Sequence, residues 1–178
     1  MRFRMASIAL LLFCVVGCKT APIGPPLRVP VPPELSRSDA EIAIVTMLTA
    51  PPERRSQAET QTLVIANPLG AMLWDQYRDA QVRSKHWFVE SWTDGEIMAG
   101  YQQRLYYLRV RIEVSDSAVT LEIDDSRHLK QSNTRIHKNA KVWVEMLETD
   151  IRDSLGRALV IRRQLGFNRN SALLRPAA

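Results

Sequence analysis

The sequence predicts an α+β fold, and three observations carry that prediction. Apolar residues recur every three or four positions over about 39–49, 68–83 and 134–155, whereas they alternate over about 86–125. The turn pair Asp94-Gly95 falls inside the alternating stretch. The first period lays one apolar stripe along a helix and the second gives a strand one apolar face. The expected architecture is therefore N-terminal helices, then an antiparallel meander of three to four strands, covered by a long C-terminal helix at about 134–155.

Residues 1–17 read as a signal peptide and not as part of the fold. Arg2 and Arg4 precede an apolar run of 11 residues, Ala6 to Val16. A permanent membrane span needs about 20 apolar residues, and the short run has secretory proportions instead. Val15-Val16-Gly17-Cys18 resembles the lipobox of bacterial lipoproteins. That resemblance implies cleavage before Cys18, a lipidated Cys18 thiol, and a mature chain with no free cysteine, since Cys14 leaves with the signal. An ordinary secretory signal or an uncleaved anchor is the alternative reading. Lys19 after the cysteine resembles the outer-membrane sorting pattern of enteric bacteria. The expected location is thus the periplasmic face of the outer membrane.

Residues 18–37 carry Pro22, Pro25, Pro26, Pro30, Pro32 and Pro33. Proline at this density removes amide donors and favours extended polyproline geometry, so the segment is expected to be a semi-rigid tether. A single domain is expected over 38–165 and a basic flexible tail over 166–178. Ser38-x-x-Glu41 has capping-box spacing and opens a helix at about 39–49, stopped by Pro51-Pro52. Glu53 to Thr62 reads as a loop. Asn67-Pro68 places an N-cap before a proline at the first helical position, and a second helix follows over 68–83. Trp87-Phe88-Val89 opens the first strand, and Asp94-Gly95 turns it back. In the third strand Leu108, Val110 and Ile112 face the core while Tyr107, Arg109 and Arg111 face outward. In the fourth, Val119, Leu121 and Ile123 face inward with Glu122 and Asp124 outward. A basic outer face thus meets an acidic one across the pair. Ile136, Ala140, Trp143, Val144, Leu147, Ile151 and Leu155 mark the long helix, and Gly156 is expected to end or kink it.

The formal charge is +5, and it is unevenly spread. From Arg157 to Ala178 there are five arginines and no acid. Such a tail suits anionic lipid, lipopolysaccharide or peptidoglycan as much as a solvated terminus. An exported protein is not expected to meet nucleic acid.

Residues 86–155 resemble a family of small uncharacterised proteobacterial lipoproteins. The features that carry the likeness are Trp87, the Asp94-Gly-x-Ile-x-Ala99 return, Ser126-x-x-Leu129, Ile136-His137 and the Trp143-Val-x-x-Leu-x-x-x-Ile151 seam. Ala140 stands where the pattern has an aromatic residue, and 50–85 looks like an insertion. The resemblance implies an α+β fold on a lipid anchor and no activity.

No pattern in the chain amounts to an enzyme signature. His128 and His137 flank a loop with Asp124, Asp125 and Asn133, a place where a ligand or metal sensor is conceivable. The spacing fits no zinc pattern, and no cysteine is left to join it. Asp124-Asp125 diverge on a strand and make a poor acid–base pair. Serines 115, 117, 126 and 132 lack a Gly-x-Ser-x-Gly elbow, and no glycine-rich phosphate loop exists. No catalytic residue, metal or cofactor is expected. Trp92, beside the Asp94-Gly95 turn, is the aromatic candidate for a partner contact. The leading expectation is a non-catalytic envelope lipoprotein that binds or assembles with other envelope components through Trp92, Tyr107, Arg109, Arg111, Arg157, Arg162 and Arg163.

Overall fold

The computed structural model describes residues 25–50, 58–78, 86–128 and 140–173, and side chains within them except those of Arg78, Arg127, His128 and 167–173. Nine elements follow in order: β1 (Leu27–Pro30), α1 (Arg37–Thr49), α2 (Ala58–Ala66), α3 (Pro68–Arg78), β2 (Trp87–Thr93), β3 (Glu96–Gln103), β4 (Tyr106–Val114), β5 (Ala118–His128) and α4 (Ala140–Leu173). The α+β expectation holds. The sheet, however, has five strands in the order β1-β5-β4-β3-β2, all antiparallel.

The meander forms as its alternation requires. Trp87, Ile97, Leu108, Val110, Ile112, Val119 and Leu121 are buried on one face. Gly95 turns the chain at φ 79°, a left-handed conformation in which a side chain is strained, and the Arg37 guanidinium lies directly above it. Only glycine fits there.

The fifth strand comes from the segment expected to be tether. Leu27 to Pro30 pair with Leu121 to Ala118, and the Val31 amide donates to the Ser117 carbonyl at 3.0 Å. Val29 and Val31 are buried. Proline tolerates this position because β1 is an edge strand, where a missing donor breaks no ladder on the open side. The folded part therefore includes Leu27–Pro30, which the sequence reading assigns to the tether.

Three helix boundaries also differ from expectation. Ser36, not Ser38, caps α1: its hydroxyl accepts from the Asp39 amide at 3.1 Å, and the Asp39 carboxylate accepts from the Ser36 amide at 3.2 Å. Ala58–Ala66 is helical, where the sequence predicts a loop as far as Thr62. The last helix runs without a break through Gly156 to Leu173, which takes in much of the expected flexible tail. The expected helix starts at 134 and ends at 83 fall outside the described residues.

α1 lies over β2, β3 and β4, and α4 lies over β1 and β5. Ala40, Ala43 and Ala158 are fully buried, and the Ser154 hydroxyl donates to the Ala43 carbonyl at 2.8 Å. An aromatic cluster fixes the start of α4 to the sheet: Trp143 stacks on Tyr101 at 4.6 Å, and Trp87 tilts against Tyr101 at 5.2 Å. α2 and α3 pack on α1, and α3 also on α4, forming a layer on the side away from the sheet. Gly70 permits the close crossing of α2 and α3, since a Cβ there would overlap the Val64 carbonyl.

Candidate functional site

With both helical layers on one side, none of the described elements packs on the other face of the sheet. Two bulges shape it. Between Val89 and Ser91 the β2–β3 register slips by one residue, and between Arg109 and Val110 the β4–β5 register does the same. The extra residues are Glu90 and Asp124. A bulge re-aims a side chain, and bulges are over-represented beside functional sites. Here both turn a carboxylate toward the outward row of β4. The Tyr107 hydroxyl donates to Glu90. Arg109 donates to Asp124 through Nε at 2.5 Å, and Arg111 lies 3.5 Å from the other oxygen of the same carboxylate. Arg111 Nε is also 3.9 Å from Glu96.

Phe88 lies across Gly100, its cross-strand partner, so closely that a Cβ there would be 2.5 Å from the ring. The result is a shallow platform of Phe88, Tyr107, Arg109 and Arg111, bracketed by acids. Burial works against the Arg109 charge, but the hydrogen bond and charge of Asp124 more than offset it and hold its pKa above the ordinary value. By register Arg109 stands opposite Asp125 and Arg111 opposite Glu122, with Glu96 opposite Glu113 in the same outward rows, so among the described side chains this face holds more acids than bases.

Trp92 is not on this platform. The bulge at Glu90 reverses the alternation after Val89, so Trp92 turns to the core side opposite Ile97. Its indole N–H donates to Glu41 Oε2 at 3.2 Å. Glu41, 7% exposed, also accepts from the Gly95 amide at 3.1 Å and from Arg37 Nε at 3.0 Å. Arg37 reaches on to Asp94 at 2.6 Å. These bonds latch α1 to the β2–β3 turn, and Trp92 serves that latch.

The basic C-terminal stretch is also engaged within the fold. Arg162 lies 3.4 Å from Asp39, and Arg163 donates to Glu34 at 2.8 Å. The Arg163 hydrogen bond lowers the Glu34 pKa. Both arginines border an open cleft of about 920 Å³ with Ser36, Ser38, Asn67, Leu69 and Leu165. The cleft contains the capped starts of two helices, since Asn67 Oδ1 accepts from the Leu69 amide at 2.9 Å. Its acids and bases answer one another. Arg157 sits apart, its guanidinium 5.4 Å above the Tyr77 ring.

The structure thus brings Tyr107, Arg109 and Arg111 together and separates them from Trp92, Arg157, Arg162 and Arg163. Sequence reasoning missed Phe88 and Glu90; the uncovered face is visible only once the strand order is known. His128 closes β5 opposite Tyr106, with its side chain outside the described residues. His137 and Cys18 lie outside them altogether. Among the described residues, no group of three His, Cys, Asp or Glu is placed to hold a metal ion, and no helix is long and apolar enough to cross a membrane. Compared with known proteins, the chain matches no family model, no curated protein and no solved structure.

Proposed function

We propose that this protein is a lipid-anchored module of the bacterial envelope that binds a protein partner on the outward face of its sheet and catalyses no reaction. Cys18 is the anchor, and the proteobacterial lipoproteins that residues 86–155 resemble are its proposed kin. One observation carries the binding surface: two separate bulges each deliver an acid to fix an outward side chain of β4, building a preorganised platform from Phe88, Tyr107, Arg109 and Arg111. Ion pairs of this exposure contribute little to folding, so register bulges devoted to them suit recognition better than stability. Side chains already held in place lose less freedom on binding.

The test is crosslinking in the cell with photoreactive residues at Phe88 and Tyr107, at native expression, with Cys18→Ala as control. A dominant envelope protein captured from both positions, and lost in the control, supports the proposal. Capture that is equal at Glu59, on the opposite side of the domain, refutes it.

A further inference from the structure

The charges on the outward face of the sheet do not cancel among the described side chains, and the remainder is negative. Arg109 and Arg111 both lie against Asp124, and Arg111 is 3.9 Å from Glu96. Glu113 and Glu122 are left over: among the described residues neither side chain has an ion pair or a hydrogen bond. Arg28, opposite Thr120 at the β1 edge, makes no ion pair with them. Glu96 and Glu113 also stand directly opposite each other on β3 and β4. Like charges in that position work against the sheet, so folding alone does not account for the pair.

The surplus lies at one end of the face and the aromatic platform at the other. Phe88 and Glu90 lie over Gly100, and the Tyr107 hydroxyl donates to Glu90. Glu113 is four residues along β4 from Arg109, about 13 Å, and Met98 stands between the two ends, opposite Arg111 and Ser91. A lysine or arginine side chain suits both ends. Its stem lies along apolar surface, its head group is attracted to ring faces, and carboxylates accept its protons in short, charge-assisted bonds. The same surplus argues against other occupants. Anionic lipid is repelled, and a second copy would bring one acidic face against another.

We infer that the protein bound on this face presents a basic surface, whose lysine or arginine side chains meet Glu96, Glu113 and Glu122 while its other contacts fall on Phe88 and Tyr107. This rests on the partner-binding reading above and deepens it by giving the partner a charge. Charges at the edge of an interface steer the encounter and exclude wrong partners more than they add affinity. The acids thus select the partner, and the platform holds it.

The experiment starts from the full chain in the cell, at native expression, with a photoreactive residue at Phe88. No protein captured there overturns the partner reading, and the inference falls with it. A captured protein is purified and titrated against the full chain in detergent, alongside Glu113→Lys and Glu113→Gln/Glu122→Gln. Glu113→Lys replaces two opposed carboxylates by an opposite pair with Glu96, so its Tm is expected to hold or rise; the double amide variant carries the test should it not fold. The expected result is binding at least about tenfold weaker to Glu113→Lys, because like charges brought together across an interface are heavily penalised, with a smaller loss in the double variant. The crosslinked segment of the partner is expected to carry more Lys and Arg than Asp and Glu. Equal affinity for all three chains overturns the inference and leaves the partner reading standing. Tighter binding to Glu113→Lys, or capture of lipid or of a second copy of this chain at Phe88, overturns it as well.

Discussion

Glu41→Ala is the substitution with the most to say about how this fold is assembled. The carboxylate is 7% exposed and accepts from the Gly95 amide and the Trp92 indole at 3.1 and 3.2 Å. Both donors lose their partner when the side chain is cut back, whereas Arg37 keeps Asp94. A hydrogen bond to a charged group contributes about 1.5–3 kcal/mol, so two such losses cost about 3–6 kcal/mol. In a domain of this size, 1 kcal/mol moves the Tm by about 2–4 °C, which puts the fall at roughly 6–24 °C. Trp92→Phe removes one of the two donors and should cost about 1.5–3 kcal/mol alone, but almost nothing in the Glu41→Ala background. Urea unfolding of the four proteins, followed by circular dichroism, measures the cycle. A Glu41→Ala cost below about 1 kcal/mol, or strict additivity with Trp92→Phe, refutes the latch.

Two glycines should respond in opposite directions. Gly70→Ala drives a methyl into the Val64 carbonyl and should cost about 3 kcal/mol or more, while Gly156→Ala, with open space around it inside α4, should stabilise by about 0.5–1 kcal/mol; thermal melts decide both. Burial raises the Tyr77 pKa, outweighing the Ser154 hydroxyl and the Arg157 charge, which lower it. A raised phenol pKa means stability that is complete below the unfolded value, about 10, and lost as pH rises beyond it. Tyr77→Phe should therefore be neutral at pH 7 and shrink the alkaline loss; an unchanged alkaline limb contradicts this. Glu34 has a lowered pKa, so its contribution is present above the ordinary glutamate value and disappears as pH falls through the folded one. The pair with Arg163 is exposed, and Arg163→Ala should leave the Tm at pH 7 unchanged.

The meander was legible because alternation over most of Trp87 to Ile123 and the Asp94-Gly95 turn point to one register. What alternation alone cannot reveal is a bulge. Glu90 and Asp124 each interrupt the period by one residue, and that slip turned Trp92 inward. β1 was hidden because its prolines signal a tether, and only the edge position makes Pro30 acceptable. α2 was missed because its stripe has no contrast: apolar residues lie outside as well as inside. Ser36 and Ser38 both have capping-box spacing, and the choice fell to Ser36 because Glu41 is occupied by Trp92 and Gly95 from another part of the chain. The arginines of α4 read as a free basic patch, since their partners Glu34 and Asp39 are more than 100 residues away.

The central claim, a module tethered through Cys18, is tested most directly by the intact mass of the mature protein extracted from its own membrane. The account predicts a chain beginning at Cys18, heavier than its amino-acid mass by a diacylglyceryl group and an amide-linked acyl chain, with neither addition in Cys18→Ala. A mature chain that keeps residues 1–17, or one in which Cys18 has its bare mass and a reactive thiol, contradicts it.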